Sequence, residues 1–92
     1  MPEVRFTIRW PGGEEESCYS PSTVIRQHLQ AGSTYALTDF VERARTGLHE
    51  ASDRVAAKFG FACSSALDQL EKIETTAAGQ PADGQVTCLS MS

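Results

Sequence analysis

The residues best suited to chemistry in this chain lie around Cys63, at a break between two helical stretches. A cysteine at a helix N-terminus can have a lowered thiol pKa, because the positive end of the helix dipole stabilises the thiolate. Arg54 and Lys58 precede it in the sequence, and their positive charges suit an anionic ligand near the helix corner. These three residues form a candidate site for a small-molecule sensor or a minimal enzyme.

The same cysteine also fits a purely structural interpretation. Cys63 ends the apolar stretch GFAC, and an unpaired cysteine often behaves as a small buried hydrophobe. His28 or His49 can act as a base only if the fold brings one of them to the thiol. The sequence contains no oxyanion-hole signature, nucleophile elbow or cysteine-protease motif. We therefore assign no catalytic residue and favour a non-catalytic protein over an enzyme.

Metal ligands and cofactor motifs show no recognisable spacing in the sequence. Zinc ligands usually come in local pairs, such as C-x-x-C or H-x-x-x-H. The cysteines and histidines of this chain stand apart, at Cys18, His28, His49, Cys63 and Cys88. The glycine-containing stretches WPGG and FGF lack the spacing of a phosphate-binding loop. We expect neither a metal ion nor a cofactor.

Length and charge limit the other function classes. A chain of 92 residues is long enough for one domain, 1–92, and too short for two cores. The net charge of −4 argues against nucleic acid and anionic membrane as partners, because both require a basic surface. The N-terminus does not resemble a signal peptide, and three cysteines are an odd number for a disulfide scaffold. We expect a cytoplasmic protein.

The N-terminal third predicts a β-hairpin. The stretch EVRFTIRW alternates polar and apolar residues, which indicates a strand with one buried face. Two glycines, Gly12–Gly13, then supply the turn, and the return strand is EEESCYS. A two-residue loop sets Arg9 opposite Glu16 as a cross-strand ion pair. The same register sets Phe6 opposite Tyr19.

The middle of the chain predicts helices. A short helix is expected within residues 20–32, followed by a connector, STYALTD. A long helix spans about Asp39–Phe59 and ends at Gly60, which can adopt a left-handed conformation. Its apolar stripe recurs at helical spacing, at Leu37, Val41, Ala44, Leu48, Ala51, Val55 and Phe59. Gly47 is either a weak point of this helix or a place of close approach.

A further helix and a strand complete the predicted fold. The helix begins near Ser64, and its core face consists of Ala66, Leu67, Leu70, Ile73 and Ala77. The last strand is QVTCLS, and we expect it to lie beside the first strand. The order ββαααβ predicts a two-layer α+β domain. Its three-stranded, mostly antiparallel sheet is covered on one face by helices.

Several side chains are of types that are common at interfaces. Aromatic residues and arginine are enriched at protein–protein contacts, and the chain contains Trp10, Tyr19, Arg26 and Tyr35. In a domain this small, the rim of the core is the alternative position for several of them. We expect Trp10, at the hairpin tip, to be only partly covered. The candidate ligand or partner surface consists of Arg26, Tyr35, Arg54, Lys58 and Cys63.

Three stretches of the chain resemble a known bacterial family. They are RWPGG, CYSPSTV and ASDRVAAKFGFACSSALDQLEKIE, and the resemblance covers about Val4 to Glu74. The family is named for the nitrogen starvation response. Its genes lie in a conserved cluster with those of a nitrilase, a radical-SAM protein and an acetyltransferase. The family provides no catalytic residue to carry over, and the resemblance groups Arg54, Lys58, Gly60 and Cys63 as residues that matter together.

The resemblance favours an accessory protein that binds a protein partner. An enzyme encoded by the same gene cluster is the partner that it implies. A homodimer is a further possibility, because the long helix or a sheet edge can pair with its copy. The small-molecule site around Cys63, with Arg54 and Lys58, is the alternative.

Overall fold

The computed structural model describes residues 3–60 and 64–92. It contains two α-helices, a short 3-10 helix and a four-stranded sheet. In chain order the elements are β1 (Val4–Arg9), β2 (Glu15–Ser20), the 3-10 helix (Thr23–Gln27), β3 (Thr34–Ala36), α1 (Leu37–Phe59), α2 (Ser64–Ala78) and β4 (Gln85–Met91). The α+β class predicted from the sequence is confirmed.

The β1–β2 hairpin forms as predicted, but its register is shifted by one residue. Trp10 N–H donates to the Glu14 carbonyl at 2.8 Å, and Gly13 N–H donates to the Trp10 carbonyl at 2.9 Å. Gly13 has a φ of 96°, so the loop has three residues and ends on a left-handed glycine. The predicted two-residue loop is therefore wrong. Arg9 lies opposite Glu15, and their side chains form the cross-strand ion pair at 3.1 Å.

The shifted register changes which β2 side chains enter the core. Successive strand residues point to opposite faces, so a slip of one residue exchanges the two faces. Cys18, not Tyr19, lies opposite Phe6 and is buried. Tyr19 lies on the other face, where the Arg5 guanidinium carbon is 5.5 Å from its ring centroid.

The sheet has four antiparallel strands in the order β2-β1-β4-β3, where the sequence predicted three. The expected position of β4 beside β1 is confirmed. The additional strand, β3, occupies part of the predicted connector and pairs Tyr35 with Val86. A strand of three residues is too short to show an alternating pattern, and only its partner strand defines it.

The first of the three predicted helices is a 3-10 helix of five residues. The side chain of Ser22 caps it by accepting the Val24 N–H at 3.3 Å. Val24 and Ile25 are buried, so this short turn still contributes apolar surface to the interior. Runs of 3-10 helix longer than three or four residues are uncommon, so five residues are already long for this type of helix.

Helix α1 begins at Leu37, two residues before the predicted start, and ends at Phe59 as expected. Gly60 follows with a φ of 84°, and its N–H donates to the Ala56 carbonyl, so the predicted glycine stop is confirmed. Gly47 is a place of close approach. A Cβ added to Gly47 would lie 2.6 Å from Ile25 Cδ1 and 3.2 Å from His28 Cδ2.

Helix α2 packs on α1 and against β2. Its buried residues are Ala66, Leu70, Ile73 and Ala77, as predicted. Leu67 is 39% exposed, and Phe59 at the end of α1 is 52% exposed, so their assignment to the core is wrong. Helices and strands share one core cluster, whose largest fully buried side chains include Trp10, Phe6 and Phe40. In the described parts of the chain, no helix is long and apolar enough to cross a membrane.

An aromatic pair joins the hairpin to α1 within this core. The rings of Trp10 and Phe40 meet edge to face, with centroids 5.7 Å apart and an interplanar angle of 83°. Trp10 is 2% exposed, which contradicts the expectation of partial cover, and Phe40 is 0% exposed. Phe40 lies next to the predicted apolar stripe rather than on it, and the wide contact face of α1 includes it.

We predict that Phe40→Ala lowers the free energy of unfolding by about 3–5 kcal/mol, because it removes a buried aromatic ring and leaves a cavity. Phe40→Leu should cause a smaller loss of the same sign. Urea unfolding measures both changes. Thr46→Ala, at an exposed position of α1, is the control and should change stability by no more than about 0.5 kcal/mol. A Phe40→Ala protein as stable as the control would contradict this packing.

Candidate functional site

Cys18 and Cys88 are free and buried in the core, where they serve as packing residues. Burial is the main reason that the pKa of the Cys18 thiol lies far above its ordinary value. The negative charge of Glu16 raises the pKa of Cys18 further, and this thiol donates to Glu16 Oε2 at 3.9 Å. Burial also raises the pKa of Cys88, whose thiol donates to the Ser90 carbonyl at 3.8 Å. A thiol with a raised pKa is a poor nucleophile because the thiolate is scarce.

Neither of these thiols is hydrogen-bonded to an imidazole. The contact partners are Glu16 for Cys18 and Ser90 for Cys88. His28 Nε2 lies 3.1 Å from Glu50 Oε1, so this imidazole joins the 3-10 helix segment to α1. The thiol–imidazole pair needed for nucleophilic catalysis is therefore not formed at Cys18 or Cys88.

The site centred on Cys63 lies partly outside the described residues, because Cys63 itself falls in 61–63. Arg54 and Lys58 are described and are exposed on α1. Residues four apart on a helix share a face, so both cations project from the same side of the last turns of α1. Lys58 Nζ lies 5.7 Å from the ring centroid of Phe59.

The other two predicted surface residues have different environments. Arg26 is exposed on the 3-10 helix. Tyr35 is half-buried in β3, and its hydroxyl oxygen accepts the Gln30 N–H at 2.9 Å. The guanidinium carbon of Arg43 lies 4.9 Å from the centroid of the Tyr35 ring. Tyr35 therefore holds the segment before β3 against α1 and has a structural role.

Arg43 is a connecting residue that the sequence reasoning did not single out. Its Nε donates to Asp39 Oδ2 at 3.0 Å, and its Nη1 donates to the His28 carbonyl at 3.1 Å. The i, i+4 spacing of Asp39 and Arg43 is a signal that could have identified the ion pair. The contacts with His28 and Tyr35 depend on the fold and leave no mark in the local sequence.

Metal-ligating side chains do not converge in the part of the chain that the structure describes. Within residues 3–60 and 64–92, no group of three or more His, Cys, Asp or Glu side chains could hold a metal ion.

An open groove between β2 and α2, which we call the acidic groove, has a volume of about 480 Å³. It is lined by Glu16, Asp68, Glu71, Lys72, Thr75 and Thr76. Three carboxylates and one ammonium give this surface an excess of negative charge. Two other open grooves lie at the hairpin loop beside Asp83, with about 490 Å³, and between the two helices beside Val41, with about 410 Å³.

The outer edge of the sheet, at β2, borders the acidic groove. Trp10 and Glu14 form a hydrogen-bonded pair, and bonded and non-bonded pairs alternate along an antiparallel ladder. The main-chain groups of Glu15, Ser17 and Tyr19 therefore point away from β1. The Tyr19 N–H confirms this direction, because it donates to Gln69 Oε1 on α2 at 3.0 Å.

Only one end of this edge is covered by α2. The Gln69 amide covers it at Tyr19, although Gln69 Nε2 is buried without a hydrogen-bond partner. Glu15 and Ser17 are exposed. We call the outward main-chain groups of Glu15 and Ser17 the β2 edge.

These features define a class of small α+β protein whose described thiols are buried in the core, and whose surface presents a sheet edge beside an acidic groove. Comparison with protein families matches residues 5–91 to the family described as nitrogen starvation-induced protein NitG. The chain therefore belongs to the NitG family, which confirms the resemblance noted in its sequence. Comparisons with curated proteins and with solved structures found no significant match.

We predict that an alkylating reagent labels Cys18 and Cys88 slowly in the folded protein at a pH near the ordinary thiol pKa of about 8.5. Burial blocks access to both sulfur atoms and raises the pKa of both thiols, so the thiolate fraction is small. Peptide mapping by mass spectrometry measures the rate at each cysteine. The same protein unfolded in urea is the control and should react rapidly at both positions. Equal rates in the folded and unfolded protein would contradict the burial.

Proposed function

We propose that this NitG-family chain is a non-catalytic accessory protein that acts by binding a protein partner during nitrogen starvation. The observation that carries the proposal is the contrast between interior and surface. The described thiols are buried and have raised pKa values, whereas the β2 edge and the acidic groove present exposed residues and an excess of negative charge to a partner. Main-chain groups at a sheet edge can bind an extended protein segment through hydrogen bonds, and this binding needs no catalytic side chain.

The partner that we propose is an enzyme encoded in the same gene cluster. The support for this choice is the resemblance to a family whose genes accompany those of a nitrilase, a radical-SAM protein and an acetyltransferase. A small chain with a negative net charge of −4 can change the position, stability or activity of such an enzyme without adding a catalytic group.

We predict that the purified chain forms a complex with at least one purified enzyme of its gene neighbourhood at micromolar concentrations. Sedimentation velocity of the mixture, with each protein alone as the control, measures the complex directly. An unrelated enzyme of similar size and charge should not co-sediment. Absence of a complex with all the neighbouring enzymes would contradict the proposed function. Sedimentation of the chain alone as a dimer would show that the partner is a second copy.

A small-molecule site around Cys63 remains the second proposed function. Its support is the exposure of Arg54 and Lys58 on one side of α1, close in sequence to Cys63. Two cations there suit an anionic ligand or stabilise a thiolate.

We predict for this alternative that the Cys63 thiol has a pKa below the ordinary value of about 8.5. The rate of alkylation at Cys63, followed by mass spectrometry across a range of pH, measures this pKa. Replacing Arg54 and Lys58 by Gln should raise the pKa of Cys63 towards the ordinary value, because it removes both positive charges. A thiol pKa at or above the ordinary value in the unchanged protein would contradict an activated cysteine.

A further inference from the structure

We propose that the β2 edge binds an extended segment of the partner that carries lysine or arginine, and that this segment adds a fifth strand to the sheet. This inference rests on the proposed function and names the surface and the chemistry of the partner. The binding segment would pair with Glu15 and Ser17 and would place its basic side chains over the acidic groove.

The hydrogen-bond ladder between β1 and β2 leaves alternate main-chain groups of β2 for an added strand. The main-chain groups of Glu15 and Ser17 point away from β1, and both residues are exposed. A row of such groups is a template for another strand. Gln69 occupies the edge at Tyr19, so the open length begins beyond that residue and continues towards the hairpin loop. A short segment of extended chain fits this length.

The negative charge around the β2 edge favours a basic partner. Glu14 and Glu16 lie at this edge, whereas Glu15 is paired with Arg9 at 3.1 Å. Asp68 and Glu71 face the neighbouring groove, where they outnumber the single cation among its described lining residues, Lys72. The side chain of Glu16 lies on the same face of the sheet as the groove, so alternate side chains of an added strand would meet its carboxylates. Lysine and arginine at alternate positions neutralise this charge, whereas an acidic segment would be repelled.

The same charges disfavour a second copy of this chain as the occupant. Two copies could pair through their β2 strands in an antiparallel arrangement, with the symmetry axis near residues 15–17. Glutamates of one copy would then lie opposite or diagonal to glutamates of the other. Like charges at these positions destabilise strand pairing. Acidic residues on an exposed edge are a known way to prevent self-association. The edge is therefore closed to its own copy and open to a basic strand.

The probe for this inference is a library of random twelve-residue peptides, selected for binding to the full chain. We expect the selected peptides to carry lysine or arginine at alternate positions. We also expect the Ser17 amide to exchange more slowly with solvent when a peptide is bound. Selection of no peptide, or of peptides without an excess of basic residues, would overturn the inference.

A matched pair of variants at one position tests the hydrogen bonds. Ser17→Pro removes the outward N–H, which does not bond to β1, so the hairpin should still form. It should weaken binding of a selected peptide about tenfold or more, because a hydrogen bond to the peptide is lost and the proline ring obstructs the edge. Ser17→Ala keeps the N–H and should bind as the unchanged protein does. Calorimetric titration measures both affinities, and circular dichroism verifies that both variants fold. Equal binding by Ser17→Pro and Ser17→Ala would overturn the inference.

Methylation of the peptide backbone gives a test that leaves the protein unchanged. Alternate amides of an added strand point towards β2, so N-methylation of one alternate set should abolish binding, and methylation of the other set should have a smaller effect. Equal effects of the two sets would overturn strand addition. This outcome decides the question even if Ser17→Pro does not fold.

Charge-neutralising variants test the groove. Asp68→Asn combined with Glu71→Gln should weaken the selected basic peptides about tenfold and reduce the salt dependence of binding, because two carboxylates are lost. Asp53→Asn, at an exposed site on α1, is the control and should leave affinity unchanged. Unchanged binding in the double variant would overturn the role of the groove.

Failure of this inference can be told apart from failure of the proposed function. A complex with a neighbouring enzyme that is unaffected by Ser17→Pro would leave the accessory function standing and overturn the β2 edge as its surface. A dimer of this chain that Ser17→Pro abolishes would also overturn the basic partner, because the edge would then be occupied by its own copy.

Discussion

The three-residue loop of the β1–β2 hairpin sets the register on which the rest of the structure depends. Gly13 adopts a left-handed conformation with a φ of 96°. It is the third residue of the loop, and a two-residue loop would give a register shifted by one residue. Because strand side chains alternate, the register places Cys18 and Ser20 inside the core and Tyr19 outside. The same register turns the main-chain groups of Ser17 away from β1. One backbone conformation thus decides both the interior and the exposed edge.

The core that results uses reactive residue types for packing. Trp10 reaches from the end of β1 to Phe40 of α1, and its Nε1 donates to Glu16 Oε1 at 3.1 Å. Cys18 and Cys88 are enclosed by the same core, where desolvation disfavours their thiolates. A small domain needs such side chains to bury enough apolar surface, so their burial contributes to stability.

The two edge strands of the sheet, β3 and β2, differ in length and in how far they are covered. β3 has three residues and leads directly into α1, so little open edge remains there. β2 has six residues; among the described residues, Gln69 covers its edge at Tyr19, whereas Glu15 and Ser17 are exposed. Charged side chains are one way in which natural sheets protect an exposed edge, and three glutamates precede Ser17 at this edge. A negatively charged edge disfavours a strand with the same charge and favours one with the opposite charge.

Periodicity and turn chemistry allowed the sequence alone to determine β1, the long helix α1 and the stop at Gly60, because these features depend on local residue types. The position of β4 beside β1 was predicted from the apolar face of β1, and the pairing itself is a long-range contact. The three-residue β3 and the exposure of Leu67 depended on tertiary structure, since distant partners decide both of them. The hairpin register depended on the left-handed conformation of Gly13, which the residue types of the turn did not distinguish from a two-residue loop. The same division applies to function. Arg54 and Lys58 are visible in the sequence as neighbouring cations, whereas the acidic groove joins Glu16 to Asp68 and Glu71 across more than fifty positions of the chain. The packing of α2 beside β2 brings those carboxylates together. The sequence positions of acidic residues do not indicate which of them lie on the same surface.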